Sequence, residues 1–210
     1  LIPAFPVYLF DIDGTLLDSA PDICAAIGQV IVEEGAQAPS FSYLRRFVGL
    51  HLTDCFADVF PSADDEKIAF LIEQYRGIYR ARGHAETRIF PGVAEGLALL
   101  GGRKATATTK GTPMARMVVD QFGLAPHFDH VQGTDGFPSK PEPDVIHAAL
   151  KAIGAEPADC LMVGDSHADI LAARAAGVKV CAVRYGYGDP EVLARLEPDF
   201  WIGDIRELAG

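Results

Sequence analysis

No uninterrupted apolar run in this chain of 210 residues approaches the roughly 18 needed to span a bilayer, so no membrane helix is expected. The segment Leu1–Phe10 has no basic stretch leading into an apolar one and does not read as a signal peptide. Positive charge is the minority: 18 Lys and Arg stand against 29 Asp and Glu, a formal charge of −11. A field of that sign repels nucleic acid and anionic membrane surfaces, which excludes both as partners. A small anionic substrate stays open, provided a metal or local cations neutralise it. Cysteine is sparse, and Cys24, Cys55, Cys160 and Cys181 form no C-x-x-C spacing. That pattern argues against a zinc site or a disulfide framework and for buried thiols in a reducing cytoplasm. Internal repeats and low-complexity tracts are missing as well. What remains is 49% hydrophobic and 22% charged, a globular composition of a size for one large domain or an ordinary one with a small companion.

Two textures alternate along the chain. From Pro21 to Arg82 the periodicity is helical throughout. Ile23, Ile27, Val30 and Ile31 share one face, with Ser19 and Pro21 marking the start, Asp22 in the first turn and Gly35 the stop. Leu44, Phe47 and Val48 mark a short helix broken at Gly49, and Leu52, Phe56, Val59 and Phe60 another stopped by Pro61. A longer helix from Asp64 to Gly83 carries Ile68, Leu71, Ile72, Tyr75 and Tyr79. Elsewhere strands alternate with helices. Val7–Phe10, Ala105–Thr108, Cys160–Val163 and Lys179–Val183 read as buried strands, with weaker ones at His130–Gln132 and Phe200–Ile202. Thr112 before Pro113 reads as a helix cap. This order predicts an α/β fold: a doubly wound parallel-sheet, Rossmann-like core of residues 1–16 plus 86–210, interrupted by an inserted α-helical bundle over residues 17–85.

In an open parallel sheet, ligands bind beyond the carboxyl ends of the strands. Those ends carry Asp11-Ile12-Asp13-Gly14-Thr15, then Thr108-Thr109-Lys110-Gly111, then Ser139-Lys140-Pro141, and finally Gly164-Asp165-Ser166-His167-Ala168-Asp169. Singly, each has an ordinary reading as a turn, a helix cap or a solvated loop residue. Jointly, they bring four carboxylates, a hydroxyl and a lysine to one sheet edge. The carboxylates would repel one another and raise their own pKa values unless a divalent cation intervened. Oxygen donors without His or Cys indicate Mg²⁺.

The run Asp11 to Ser19 resembles the first motif of the haloacid dehalogenase superfamily of phosphotransferases. Thr108, Lys140 with Pro141, and Gly164-Asp165-Ser166 with Asp169 resemble its second, third and fourth motifs in order, and the helical insertion resembles its cap. Phe90-Pro91-Gly92-Val93 and Val183 to Gly188 resemble segments of the phosphoglycolate phosphatase-like branch, although Thr109 stands where that branch more often has Asn. The resemblance implies an Mg²⁺-dependent phosphate monoester hydrolase. Asp11 is then the nucleophile that forms an aspartyl phosphate, and Asp13 the general acid and base. Asp11 and Asp165 are implied as metal ligands, with Asp13 through its backbone carbonyl. Gly14, Thr108, Thr109 and Lys140 are implied to hold the phosphate, and Asp169 to orient a metal-bound water or Lys140.

The cap is expected to choose the substrate, and Arg45 occupies a place resembling a cap arginine of the branch. Arg46 and His51 remain alternatives for that contact. The leading substrate is 2-phosphoglycolate. A sugar-phosphate mutase, a phosphatase for another small ester or a pyrophosphatase would share the four motifs. A non-hydrolytic phospho-receiver module would lack the cap. The expected partner is a small phosphorylated metabolite, and the expected form is a cytoplasmic monomer or homodimer.

Overall fold

The computed structural model describes residues 2–210. In chain order, β1 (Val7–Phe10) and β2 (Leu17–Asp18) are followed by α1 (Ala20–Glu33), α2 (Phe41–Arg45), α3 (Leu52–Val59) and α4 (Asp65–Arg82). Then come β3 (Arg88–Ile89), α5 (Val93–Leu99), β4 (Arg103–Thr106), α6 (Thr112–Gln121) and α7 (Asp144–Ile153). The chain ends with β5 (Cys160–Gly164), α8 (His167–Ala175), β6 (Lys179–Val183), α9 (Pro190–Arg195) and β7 (Phe200–Ile202). Two compact units result, one holding the chain up to Leu17 together with Ile89–Gly210, the other Asp18–Arg88. The chain passes from one to the other along β2 and β3, which pair as a two-stranded ladder.

The larger unit is built on a parallel five-stranded sheet of order β4-β1-β5-β6-β7. The strands β1 and β5 at its centre are apolar and buried throughout because both faces are covered, whereas β4 carries Arg103, Lys104 and Thr106 and β6 starts at an exposed Lys179; alternate residues serve opposite faces. Tyr8, Phe10, Leu161, Val163, Cys181 and Val183 pack with Val93 and Leu97 of α5 and Ala115, Val118 and Val119 of α6. Val7, Leu9, Ala105, Cys160, Met162 and Val180 pack with Val145 and Ile146 of α7, Ile170 and Ala173 of α8 and Leu193 of α9. The register Phe10↔Thr106 and Phe10↔Val163 brings the carboxyl ends of β4, β1 and β5 level. That alignment positions the site.

Several details differ from the sequence expectation: β4 runs Arg103–Thr106 and not Ala105–Thr108, and α2 ends at Arg45, before Phe47 and Val48. The segment His130–Gln132 is not a strand: it makes one bridge, Ala105 to His130, and the Thr106 hydroxyl then takes over the ladder. Thr106 Oγ1 donates to Gln132 O at 2.9 Å and accepts from Gln132 N at 2.8 Å. Thr112 is the first helical residue of α6 and not its cap, and its hydroxyl accepts from Gly133 N at 2.9 Å. Ser19 makes no capping bond at α1, and Asp22 is fully buried. It accepts from Glu86 N, Thr87 N and Thr87 Oγ1 at 2.9, 2.8 and 2.8 Å and from Arg82 Nε at 3.1 Å.

In the helical unit α1 packs on α4 and α2, and α3 packs on α4. The buried stripe of α4 is Ile68, Leu71, Tyr75 and Tyr79. Asp64 caps its start by accepting from Lys67 N at 2.9 Å, and Gly83 ends it at φ 61°. No helix among the described residues is long and apolar enough to cross a membrane.

Candidate active site

Each strand end delivers one part of the site. Asp11 directly follows β1 and is tied to the neighbouring strand by its N–H, which donates to Val163 O at 3.0 Å. The chain then turns tightly, with Leu16 and Leu17 N–H both donating to Ile12 O at 2.9 Å. Beyond β5, Asp165 is followed by Ser166 and Asp169, which close a capping box at the start of α8. Asp169 Oδ2 accepts from Ser166 N and Oγ at 2.9 and 2.7 Å, so its helix-starting role is real. Its other oxygen, Oδ1, faces Lys140 Nζ at 2.5 Å.

Asp11, Asp165 and Asp169 each offer an oxygen within 4.8 Å of the others, and all three are buried. Lys140, itself buried, donates to Ala107 O at 2.9 Å and to Asp169, and stands 2.9 Å from Asp11 Oδ1. That last contact is an ion pair without hydrogen-bond direction, and Asp11 Oδ1 has no hydrogen bond among the described residues. Burial pushes the Asp11 carboxyl up to about 7, Lys140 opposing and Asp169 and Asp13 adding. Asp165 is raised well above the usual carboxylate range, first by burial and then by Asp169 and Asp11. Burial works against the charge on Lys140, but Asp11 and Asp169 more than offset it and raise its pKa. Three carboxylates facing one ammonium lack counter-charge. An all-oxygen donor set of three buried carboxylates fits Mg²⁺.

Asp165 is held from several sides. Thr15 Oγ1 donates to Oδ1 at 3.2 Å and Tyr187 N to Oδ2 at 2.7 Å. An added Cβ on Gly186 would lie 2.2 Å from Asp165 Cβ, so only glycine admits this approach. The expected role of Gly14, clearance for phosphate, needs correction: its φ is 90°, and a Cβ there would meet Asp165 Oδ2 at 2.2 Å. Gly14 clears the way for a carboxylate.

The metal expectation takes only the backbone carbonyl of Asp13, and the side chain is placed accordingly. The Asp13 side chain is not in the buried cluster; its Oδ2 pairs with Lys110 Nζ at 3.1 Å, leaving the backbone carbonyl as the atom the resemblance names. Thr108 is fully buried beyond β4, its hydroxyl accepting from Lys110 N at 3.3 Å, and Thr109 follows half-buried. In the helical unit, Arg45 ends α2, half-buried and near Cys24, whose thiol burial pushes up to about 11 against the smaller opposing effect of the Arg45 charge. Arg46 is occupied: its guanidinium lies 4.4 Å over the Tyr43 ring and its Nε donates to Tyr43 O at 3.3 Å. His51 caps α3, its Nδ1 accepting from Thr53 N at 3.2 Å.

The sequence pattern of the haloacid dehalogenase-like hydrolases matches residues 8–183. The chain belongs to that family. A phosphoglycolate phosphatase of Pseudomonas aeruginosa is 32% identical over 214 residues, which cover 95% of this chain and 77% of that one. A 5'-nucleotidase of the same organism is 32% identical over 209 residues, covering 97% and 94%. The structure of a haloacid dehalogenase-like hydrolase from Streptococcus pneumoniae superposes with a TM-score of 0.89 at 28% identity, covering 97% and 96%.

Within this hydrolase, sequence reasoning gave no role in the site to Lys110, Thr15, Ser166, Gly186 or Tyr187. Lys110 lies in a loop already singled out, but nothing in a lone loop lysine names its partner. Gly186 and Tyr187 sit in the segment noted only for its resemblance, and their spacing G-Y-G after a strand is the signal that could have found them.

Proposed function

We propose that this hydrolase cleaves small phosphate monoesters with Mg²⁺, and that 2-phosphoglycolate is its substrate. The observation that carries the proposal is the buried convergence of Asp11, Asp165 and Asp169 on the single ammonium of Lys140. Asp11, Asp165 and the Asp13 carbonyl would hold Mg²⁺, which when bound neutralises both the carboxylates and the phosphate.

Asp11 is the nucleophile. Its carboxylate oxygen forms a bond to phosphorus as the bond from phosphorus to the alcohol oxygen breaks, and Asp13 gives the departing alkoxide a proton. Water then attacks phosphorus and Asp13 takes its proton. The bond from phosphorus to Asp11 breaks, which frees phosphate and restores both carboxyl groups. Lys140, aimed by Ala107 O and Asp169, and Thr108 hold phosphate oxygens, helped by the N–H of Thr109, whereas the Gly14 N–H is taken by Leu17 O at 2.9 Å. The inserted helical unit is assigned the choice of substrate, with Arg45 as the cation for a carboxylate.

The relative named for phosphoglycolate supports this substrate, and the one named 5'-nucleotidase supports a second reading, nucleoside monophosphates. A phosphate-release assay over 2-phosphoglycolate, a nucleoside 5'-monophosphate, a sugar phosphate and 4-nitrophenyl phosphate, each with Mg²⁺ and with EDTA, tests both. The highest kcat/KM is expected with 2-phosphoglycolate, and only with Mg²⁺. Release of no phosphate from any ester would overturn the proposal, and activity surviving rigorous chelation would remove the metal.

A further inference from the structure

Four carboxylates meet at one end of the sheet, and two lysines divide them. Lys140 faces Asp11 at 2.9 Å and Asp169 at 2.5 Å, and Lys110 faces Asp13 at 3.1 Å. The Lys110 and Asp13 side chains are only 9% and 6% exposed, so water screens this pair little. Asp13 is two residues from Asp11 in a tight turn, yet its carboxylate stays outside the group formed by Asp11, Asp165 and Asp169. A carboxylate beside a cluster short of counter-charge would be drawn in with any cation bound there. Lys110 is the counter-charge that holds it out. Its own backbone is fixed by the Lys110 N–H bond to Thr108 Oγ1, so the ammonium is presented from the same loop that carries the hydroxyl assigned to phosphate.

We infer that Lys110 is a positioning residue for the acid–base carboxylate: its ammonium keeps Asp13 on the leaving-group side and out of the metal cluster. The inference rests on the proposed phosphatase reaction, in which Asp13 moves a proton and Asp11 forms the bond. Lys110 touches no reacting atom in this account. Its loss therefore misplaces the proton donor and leaves the nucleophile untouched.

The test is single-turnover alcohol release by Lys110→Met and Lys110→Arg with three esters and Mg²⁺. Ethyl phosphate departs as a strongly basic alkoxide and needs the proton, whereas 4-nitrophenyl phosphate departs as a stable anion. Lys110→Met is expected to slow ethyl phosphate by about 10- to 100-fold and 4-nitrophenyl phosphate by less than about 3-fold. Lys110→Arg, which keeps the charge, should recover most of the loss. In an Asp13→Asn background, Lys110→Met should add less than about 3-fold, because the group it positions is already disabled. Equal losses on both esters, or full additivity in the double variant, would make Lys110 merely structural and overturn the inference. A loss confined to 2-phosphoglycolate would make it a reader of the substrate's carboxylate and overturn it too. A wild-type enzyme that releases alcohol from no ester would bring down the proposed reaction and this inference with it. Turnover by wild type with no change in Lys110→Met would remove the inference alone.

Discussion

Gly14 and Asp165 touch so closely that a Cβ on the first would stand 2.2 Å from Oδ2 of the second, and Gly14 holds φ at 90°. Asp165 cannot retreat, because Gly186 lies against its other side and Tyr187 N binds its Oδ2 at 2.7 Å. Gly14→Ala therefore strains the backbone by about 1–2 kcal/mol and shifts a carboxylate assigned to the metal. Mg²⁺ affinity measured by calorimetry should fall by about 10- to 100-fold, the usual cost of disturbing the support of a ligand. An unchanged Mg²⁺ titration would mean that Asp165 does not hold the ion.

Asp11→Asn should leave turnover below about 1% of wild type while the far-ultraviolet spectrum stays the same, since an amide is a poor nucleophile and a weaker ligand. The fold is expected to survive because Asp11 is placed by its backbone bond to Val163 O and not by its side chain. Retained hydrolysis would contradict covalent catalysis by this residue.

How far the site could be read from the chain depended on whether a partner lay along the sequence or across the fold. Apolar runs such as Val7–Phe10 announce strands because the centre of a sheet covered on both faces favours apolar side chains, and the residues after them are named by topology alone. Asp11, Asp165 and Asp169 were legible in that way, and Lys140, which follows no regular strand, through the resemblance of its motif. The Asp13–Lys110 pair and the Thr15, Gly186 and Tyr187 contacts to Asp165 were not, because each joins loops that only the register brings level. Asp22 shows the opposite difficulty. Its place in a first turn suits a helix dipole, and only the return of Glu86 and Thr87 shows that its oxygens serve other groups.

The two arginines of α2 should behave differently. Arg46 is spent on Tyr43, to which it stacks and donates, whereas Arg45 is the cation that the proposed function assigns to a substrate carboxylate. Arg45→Met should lower kcat/KM for 2-phosphoglycolate by about 10- to 200-fold, the order of one lost charge-assisted bidentate contact, and leave 4-nitrophenyl phosphate nearly unchanged. Arg46→Met should affect neither by more than about 3-fold, since an exposed cation–π contact contributes about 0.5–1 kcal/mol to folding only. Equal losses on both esters in Arg45→Met would make that residue structural.

Asp22 offers a test of what holds the helical unit together. Burial pushes its carboxyl up, but bonds from Thr87 Oγ1, Glu86 N, Arg82 and Thr87 N together outweigh that and hold its pKa below the ordinary value. A carboxylate with a lowered folded-state pKa stabilises the fold above its unfolded value of about 3.9 and loses that contribution as pH falls through the folded value. These bonds join the first turn of α1 to the segment just before β3, so the chain enters and leaves the unit through one buried node. Asp22→Asn puts an amide N–H₂ either against Arg82 Nε or against the N–H groups of Glu86 and Thr87, which only donate, and leaves Arg82 without its buried counter-charge. At pH 7 the substitution should cost about 3–5 kcal/mol, the range for breaking a buried pair on one side. Hydrogen exchange in α1, α4 and at Thr87 is the suitable readout, because two units need not unfold together and a single melting temperature would mix them. Exchange should accelerate in that unit far more than in the sheet, and the gap between variant and wild type should narrow as pH is lowered below about 4. A gap that stayed constant with pH would show that Asp22 acts there by shape alone, and its charge would then contribute nothing to the node.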